Sequence, residues 1–188
     1  MMKKTIGLLL VLSLVAGGWL YKQTPAHAYT LKNRVLHFLK ADNSISIPFA
    51  QLSGSMTEKE ILKHYPKLGL DCGYEPSSLG ERSCYASVKS INEVDAWFVV
   101  FFFEKGGLRQ VKADIMPGAH KAMMHWLTDK FGSGMTVSHG KASETLVHWI
   151  ELNGAIAMNK EAYGNEPSQV VWVSKERILQ KIMKGRLS

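Results

Sequence analysis

Trp97-Phe98-Val99-Val100-Phe101-Phe102-Phe103, then Glu104-Lys105-Gly106-Gly107, then Leu108-Arg109-Gln110-Val111-Lys112-Ala113-Asp114-Ile115, is the stretch that decides the fold. Aromatic and β-branched side chains in succession are restricted at χ1 and pack well on a pleated sheet. A continuous apolar run predicts a strand covered on both faces. Gly106-Gly107 supplies the positive φ of a tight hairpin turn. The return strand alternates, with Leu108, Gln110, Lys112 and Asp114 on one face and Arg109, Val111, Ala113 and Ile115 on the other. The reading is a long β-hairpin at the centre of a sheet, with a scaffolding role and no chemistry of its own.

Working outward, Thr57 and Glu60 form a capping box, and Met56 and Ile61 are placed for a hydrophobic staple. They predict a helix that Pro66 and Gly69 end, with Ile61, Leu62 and Tyr65 facing inward. Residues 83–88 read as a strand and Asn92-Glu93 as a turn. Beyond the hairpin, Pro117 suits the first turn of a second helix. Ala119, Ala122, Met123, Trp126, Leu127 and Phe131 share one face of that helix, and Gly132 stops it. Residues 133–140 read as a flexible loop and 146–152 as a strand. Asn153-Gly154 is a strong hairpin signal. Residues 155–158 return, 161–168 form a polar loop, and Val170-Val171-Trp172-Val173 is a last strand. A basic helix closes the chain.

This order is helix and three strands, then helix and three strands. It predicts an α+β fold, with helices packed on one face of an antiparallel sheet of six strands or of two three-stranded sheets. The divisions are a leader or anchor at 1–28, a linker with an amphipathic helix at 29–50, an α+β domain at 51–173 with halves 51–116 and 117–173, and a basic helix at 174–188. In the linker, Leu31, Val35, Phe38 and Leu39 fall on one helical face.

Lys3 and Lys4 precede an apolar run from Ile6 to Leu20, and Ala26-His27-Ala28 offers a cleavage site. The segment reads as an export signal cleaved after Ala28 or as an uncleaved inner-membrane anchor. Absence of a Cys near the run excludes a lipoprotein of the bacterial kind. The expected location is periplasmic or secreted. The formal charge of +7 is uneven. Lys3, Lys4 and Lys22 supply three, leaving +4 for 29–188, and 174–188 alone carry +4. A near-neutral body argues against nucleic acid as a partner. The basic tail reads as a solubilising end helix or as a contact for anionic lipid headgroups.

Cys72 and Cys84 are the only cysteines. In an exported chain they suggest a disulfide closing the Gly-, Pro- and Ser-rich stretch between them. Free buried thiols or a metal pair are the alternatives, although the spacing fits no zinc pattern. His120 and His125 diverge on their helix, His139 falls in a loop and His148 in a strand. No nucleophile elbow, phosphate loop or dinucleotide fingerprint occurs. No catalytic residue, cofactor or metal ligand is therefore assigned. Trp97, Trp126, Trp149 and Trp172 read as core. If Trp149 and His148 point to opposite faces, Trp149, His148 and Trp172 mark a candidate partner surface.

Gly54-Ser55-Met56-Thr57-Glu58-Lys59-Glu60-Ile61, with Tyr65-Pro66, Cys84-Tyr85 and the run from Phe101 to Val111, resembles the SmpA/OmlA family of small outer-membrane assembly proteins over residues 50–115. The family's lipoprotein cysteine is missing here. The doubled helix-plus-sheet layout looks like the tandem domains of secreted β-lactamase inhibitor proteins. Both resemblances imply a surface that binds another protein and transfer no catalytic residue. The expected function is a non-catalytic module that binds another envelope protein, an accessory or assembly factor. A periplasmic inhibitor or immunity-type protein and a carrier of a small apolar ligand are the alternatives.

Overall fold

The computed structural model describes residues 43–138, 145–162, 164 and 166–185. The segment at 1–28, the amphipathic stretch 31–39 and His139 lie outside the described residues.

The central hairpin forms where the sequence places it. Strand β5 (Val94–Glu104) pairs antiparallel with β6 (Gly107–Ile115). The turn is one residue earlier than expected: Lys105 and Gly106 take the positive φ, at 52° and 78°. Gly107 serves a different need, since a Cβ there would stand 2.4 Å from the carbonyl oxygen of Gly54. Asn153-Gly154 behaves similarly. Its hairpin forms between β8 (Thr145–Glu151) and β9 (Gly154–Asn159), but Gly154 already lies in the strand, where a Cβ would meet the Val173 carbonyl oxygen at 2.4 Å.

The α+β expectation is overturned. The described residues are dominated by one sheet of ten strands, and the helices among them are few and short. Strands β2 (Asp71–Ser77) and β3 (Gly80–Ser87) lead into β5 and β6, and β7 (Met135–Ser138), β8, β9 and β10 (Ser168–Ser174) follow. The order across the main sheet is β2-β3-β5-β6-β10-β9-β8-β7, all antiparallel. Short β4 (Ser90–Ile91) continues the line of β3 against β5, and β1 (Ser44–Ile45) adds to β4 in parallel. Each half therefore carries a run of four main strands, not three. Besides short β1 and β4, two of the main strands lie where the sequence predicts loops. Gly73 and Pro76 disguise β2, which the Cys72–Cys84 link clamps to β3. Gly132, Ser133 and Gly134 disguise β7, a short edge strand. The halves meet where β10 pairs with β6 from Ser168↔Ile115 to Val173↔Gln110, which makes one sheet of two.

Helix α1 (Glu58–His64) has the expected capping box. Thr57 N–H donates to Glu60 Oε2 at 2.7 Å and Glu60 N–H donates to Thr57 Oγ1 at 3.3 Å. Helix α2 (His120–Phe131) starts later than Pro117 suggests, because Gly118 at φ 92° turns the chain first. It buries Met123 and Leu127, while Ala122 stays exposed. His120 is a core histidine that bridges Ser168 Oγ (2.8 Å) and the Lys160 carbonyl (3.2 Å). Helix α3 (Lys175–Gly185) is not simply a solvated basic tail. The Arg177 guanidinium donates to the carbonyls of Leu79 (2.9 Å) and Ser78, on the β2–β3 turn. No helix among the described residues is long and apolar enough to cross a membrane.

Asn92 and Glu93 make the β4–β5 turn at φ 52° and 68°. The Asn92 amide does more than turn the chain. Its Oδ1 accepts from Ile47 N–H at 2.7 Å and its Nδ2 donates to the Ile47 carbonyl at 3.2 Å, both in the interior. Asn92 thus acts as one extra strand residue for the segment entering from β1. Asn92→Ala leaves the buried Ile47 N–H unpaired, while the Ile47 carbonyl keeps its bond from Phe49 N–H at 3.0 Å, and should lower stability by about 1–3 kcal/mol in urea denaturation.

Candidate partner-binding face

Directly opposed residues in a sheet share a face, so the register sorts every strand into two sets. One row across the sheet runs Cys72, Cys84, Phe101, Val111, Trp172, Ile156, Trp149. From Cys84 onward every member is buried. Tyr65 of the α1 cap stacks on Phe101 with ring centres 5.6 Å apart, and Trp149 Nε1 donates to the Gly132 carbonyl at 2.9 Å. This is the inner face, packed against the helices.

The adjacent row runs Asp71, Tyr85, Val100, Lys112, Val171, Ala157, His148, Met135. It crosses all eight main strands, about 34 Å at the usual strand spacing. None of its members is fully buried. Beside it, Ser83, Phe102, Gln110, Val173, Ala155 and Ile150 form a second row. Ile150 is 65 % exposed and Met135 60 %. The outer face thus carries apolar side chains on β5, β10, β8 and β7, divided by a polar strip on β6, Gln110, Lys112 and Asp114.

The expected partner surface needs correction. His148 lies on the outer face, but Trp149 and Trp172 belong to the inner row, 3 % and 0 % exposed, and offer nothing to a partner. Trp149 and His148 point to opposite faces, and the aromatic side is the core. Tyr85, Val100, Lys112 and Val171 share the outer face with His148. Their signal was present in the central strand. Its apolar run implied cover on both faces, but only Val99, Phe101 and Phe103 are buried, and Phe98, Val100 and Phe102 are half-buried.

Two pairs of polar groups on the outer face engage each other. Tyr85 Oη donates to Asp71 Oδ2 at 2.9 Å. Lys112 Nζ sits 3.5 Å from Asp114 Oδ1. Burial raises the Asp114 pKa, and Lys112 only partly offsets it. A carboxyl whose folded pKa lies above its unfolded value, about 3.9, stabilises the fold below that value and loses the contribution as pH rises through the folded pKa. Asp114→Asn should therefore raise the thermal midpoint relative to wild type at neutral pH. The difference should vanish on acidification below about pH 3.9, as a pH series of melting curves would record.

Glu58, Cys72 and Cys84 place their ligand atoms within 4.8 Å of one another. The sulfurs are bonded to each other, and Arg82 holds Glu58 through two hydrogen bonds, at 2.7 and 3.0 Å. The group serves as a cross-strand clamp tied to the start of α1. Its disulfide is compatible with an oxidising extracellular or periplasmic location. His125 pairs with Asp129 on exposed helix surface, far in role from the buried His120. No family model, no curated protein and no solved structure matches this chain.

Proposed function

We propose that the protein is a non-catalytic binding module of the cell envelope, an accessory or assembly factor that receives another envelope protein on the outer face of its sheet. The observation that carries this is the half-buried apolar set Phe98, Val100 and Phe102 on a strand whose opposite side already supplies the core. Folding needs one apolar face of a two-sided sheet; a second is characteristic of recognition surfaces. The leader-like start, the near-neutral body and the SmpA/OmlA-like stretch at 50–115 support the location and class.

The test is photo-cross-linking in the exporting cell. A benzophenone side chain at Ile150, on the outer face, should give a discrete adduct with one envelope protein. The same group at the exposed Lys67, next to α1, should not. Equal labelling from both positions, or none from Ile150, would contradict the proposal.

A further inference from the structure

The strand registers gather three hairpin turns at one end of the sheet: Ser78-Leu79 after β2, Lys105-Gly106 after β5 and Leu152-Asn153 after β8. β10 ends there too, and α3 leaves from it. Lys175 N–H, at the start of α3, donates to the Asn153 carbonyl at 3.0 Å. A surface helix ordinarily turns its apolar arc inward. α3 does the reverse. Its contacts with the domain come from its polar side, where Glu176 lies against Gly54 and Arg177 holds the Leu79 and Ser78 carbonyls. At 3.6 residues per turn, the apolar positions Ile178, Leu179, Ile182 and Met183 occupy an arc of about 140° on the side away from 176 and 177. Ile178, at one margin of that arc, is half-buried, and Leu179 is 49 % exposed. Leu152, on the turn bonded to α3, is 82 % exposed, more than any other large apolar side chain among the described residues.

We infer that this end of the protein rests on an anionic bilayer surface, with α3 lying along the interface and Leu152 and Leu179 dipping into it. An interfacial helix needs its domain on the polar side and lipid on the apolar side, which is the arrangement here. Charge selects the occupant. Residues 174–188 carry +4 and residues 29–173 balance to zero, so the excess positive charge sits on this helix. The acids nearby are engaged or turned inward. Glu176 lies against Gly54, Glu81 accepts from Lys105 N–H at 3.2 Å, Glu104 pairs with Arg109, and Glu151 is half-buried. Each cation close to an anionic leaflet favours docking about fivefold. The exposed apolar groups come from two separate elements, a helix arc and a hairpin tip. A deformable lipid surface accepts both at once without matched pockets. The inference stands on this end of the sheet and does not require the outer-face binding role proposed above.

The experiment uses the full chain with vesicles of phosphatidylglycerol or of phosphatidylcholine, and a dansyl-bearing side chain in place of Leu179. A local probe is needed because the apolar run at 6–20 would hold the chain on either vesicle. Dansyl emission should shift to the blue on phosphatidylglycerol and stay unshifted on phosphatidylcholine. The same probe in place of the exposed Asp95, at the opposite end of β5, should shift on neither. Equal shifts at 179 with both lipids, or none with either, would overturn the inference. Lys175 is exposed on the apolar side of α3. Lys175→Gln should lower the docked-to-free ratio at 179 about fivefold and Lys175→Glu about 30-fold. An unchanged ratio in Lys175→Glu would contradict the role of charge and overturn the inference. In the exporting cell, a benzophenone side chain at Leu179 should give no discrete protein adduct. A single such adduct would assign this end to a protein partner and overturn the inference equally.

Discussion

Trp172→Ala should remove about 3–5 kcal/mol of stability, the largest loss expected from any single truncation in the sheet. Trp172 is the largest fully buried side chain, and it stands on β10 between Val111 of β6 and Ile156 of β9. It therefore fills the inner face at the seam between the two halves. Its indole Nε1 has no hydrogen-bond partner, so truncation orphans no polar group and the loss is one of packing. Trp172→Phe should accordingly lose much less, since it keeps most of the ring volume and removes an unpaired N–H. Denaturant unfolding of the three proteins measures both numbers. An alanine variant within about 1 kcal/mol of wild type would mean that the cavity collapses or that the residue is not interior.

Removing the Cys72–Cys84 link should lower stability by about 3 kcal/mol, from loop-closure entropy over the 12-residue separation. The effect should be concentrated in β2. That strand is an edge, and Tyr74, which faces the same way as Cys72, is 67 % exposed, so few other contacts hold it. Reduction of the wild-type protein, or Cys72→Ala with Cys84→Ala, should shift the urea midpoint down and expose the 71–77 amides to rapid exchange. An unchanged midpoint after complete reduction, confirmed by intact mass, would contradict the clamp.

Much of the local structure was legible because it rests on short-range rules. The Thr57–Glu60 box, the aromatic strand and its hairpin and the Asn92-Glu93 turn each need only neighbours in sequence. The fold class was not legible, because it rests on a long-range event. Nothing in residues 110–115 or 168–173 announces that these two strands pair, and that pairing turns separate strand runs into one large sheet. Two strands were hidden by their composition. Gly73 and Pro76 read as loop in β2, and glycines before Met135 obscured β7, although the alternation in Met135-Thr136-Val137 was visible. Trp149 and Trp172 were offered to a partner because aromatic residues suit both cores and interfaces. Burial decides between those uses, and burial follows from the register. Arg177 shows the same limit. Read as one charge in a basic tail, it is in fact fastened to the Ser78 and Leu79 carbonyls, remote in sequence.

The account depends on the β6–β10 seam, because only a continuous sheet gives an outer face that spans both halves. Native-state hydrogen exchange at residue resolution tests it most directly. The amides of 110–115 and 168–173 that bridge the seam should exchange only through global unfolding, as slowly as those of the β5–β6 hairpin. Fast exchange along the seam, with protection kept separately in each half, would show two independent sheets and contradict the account.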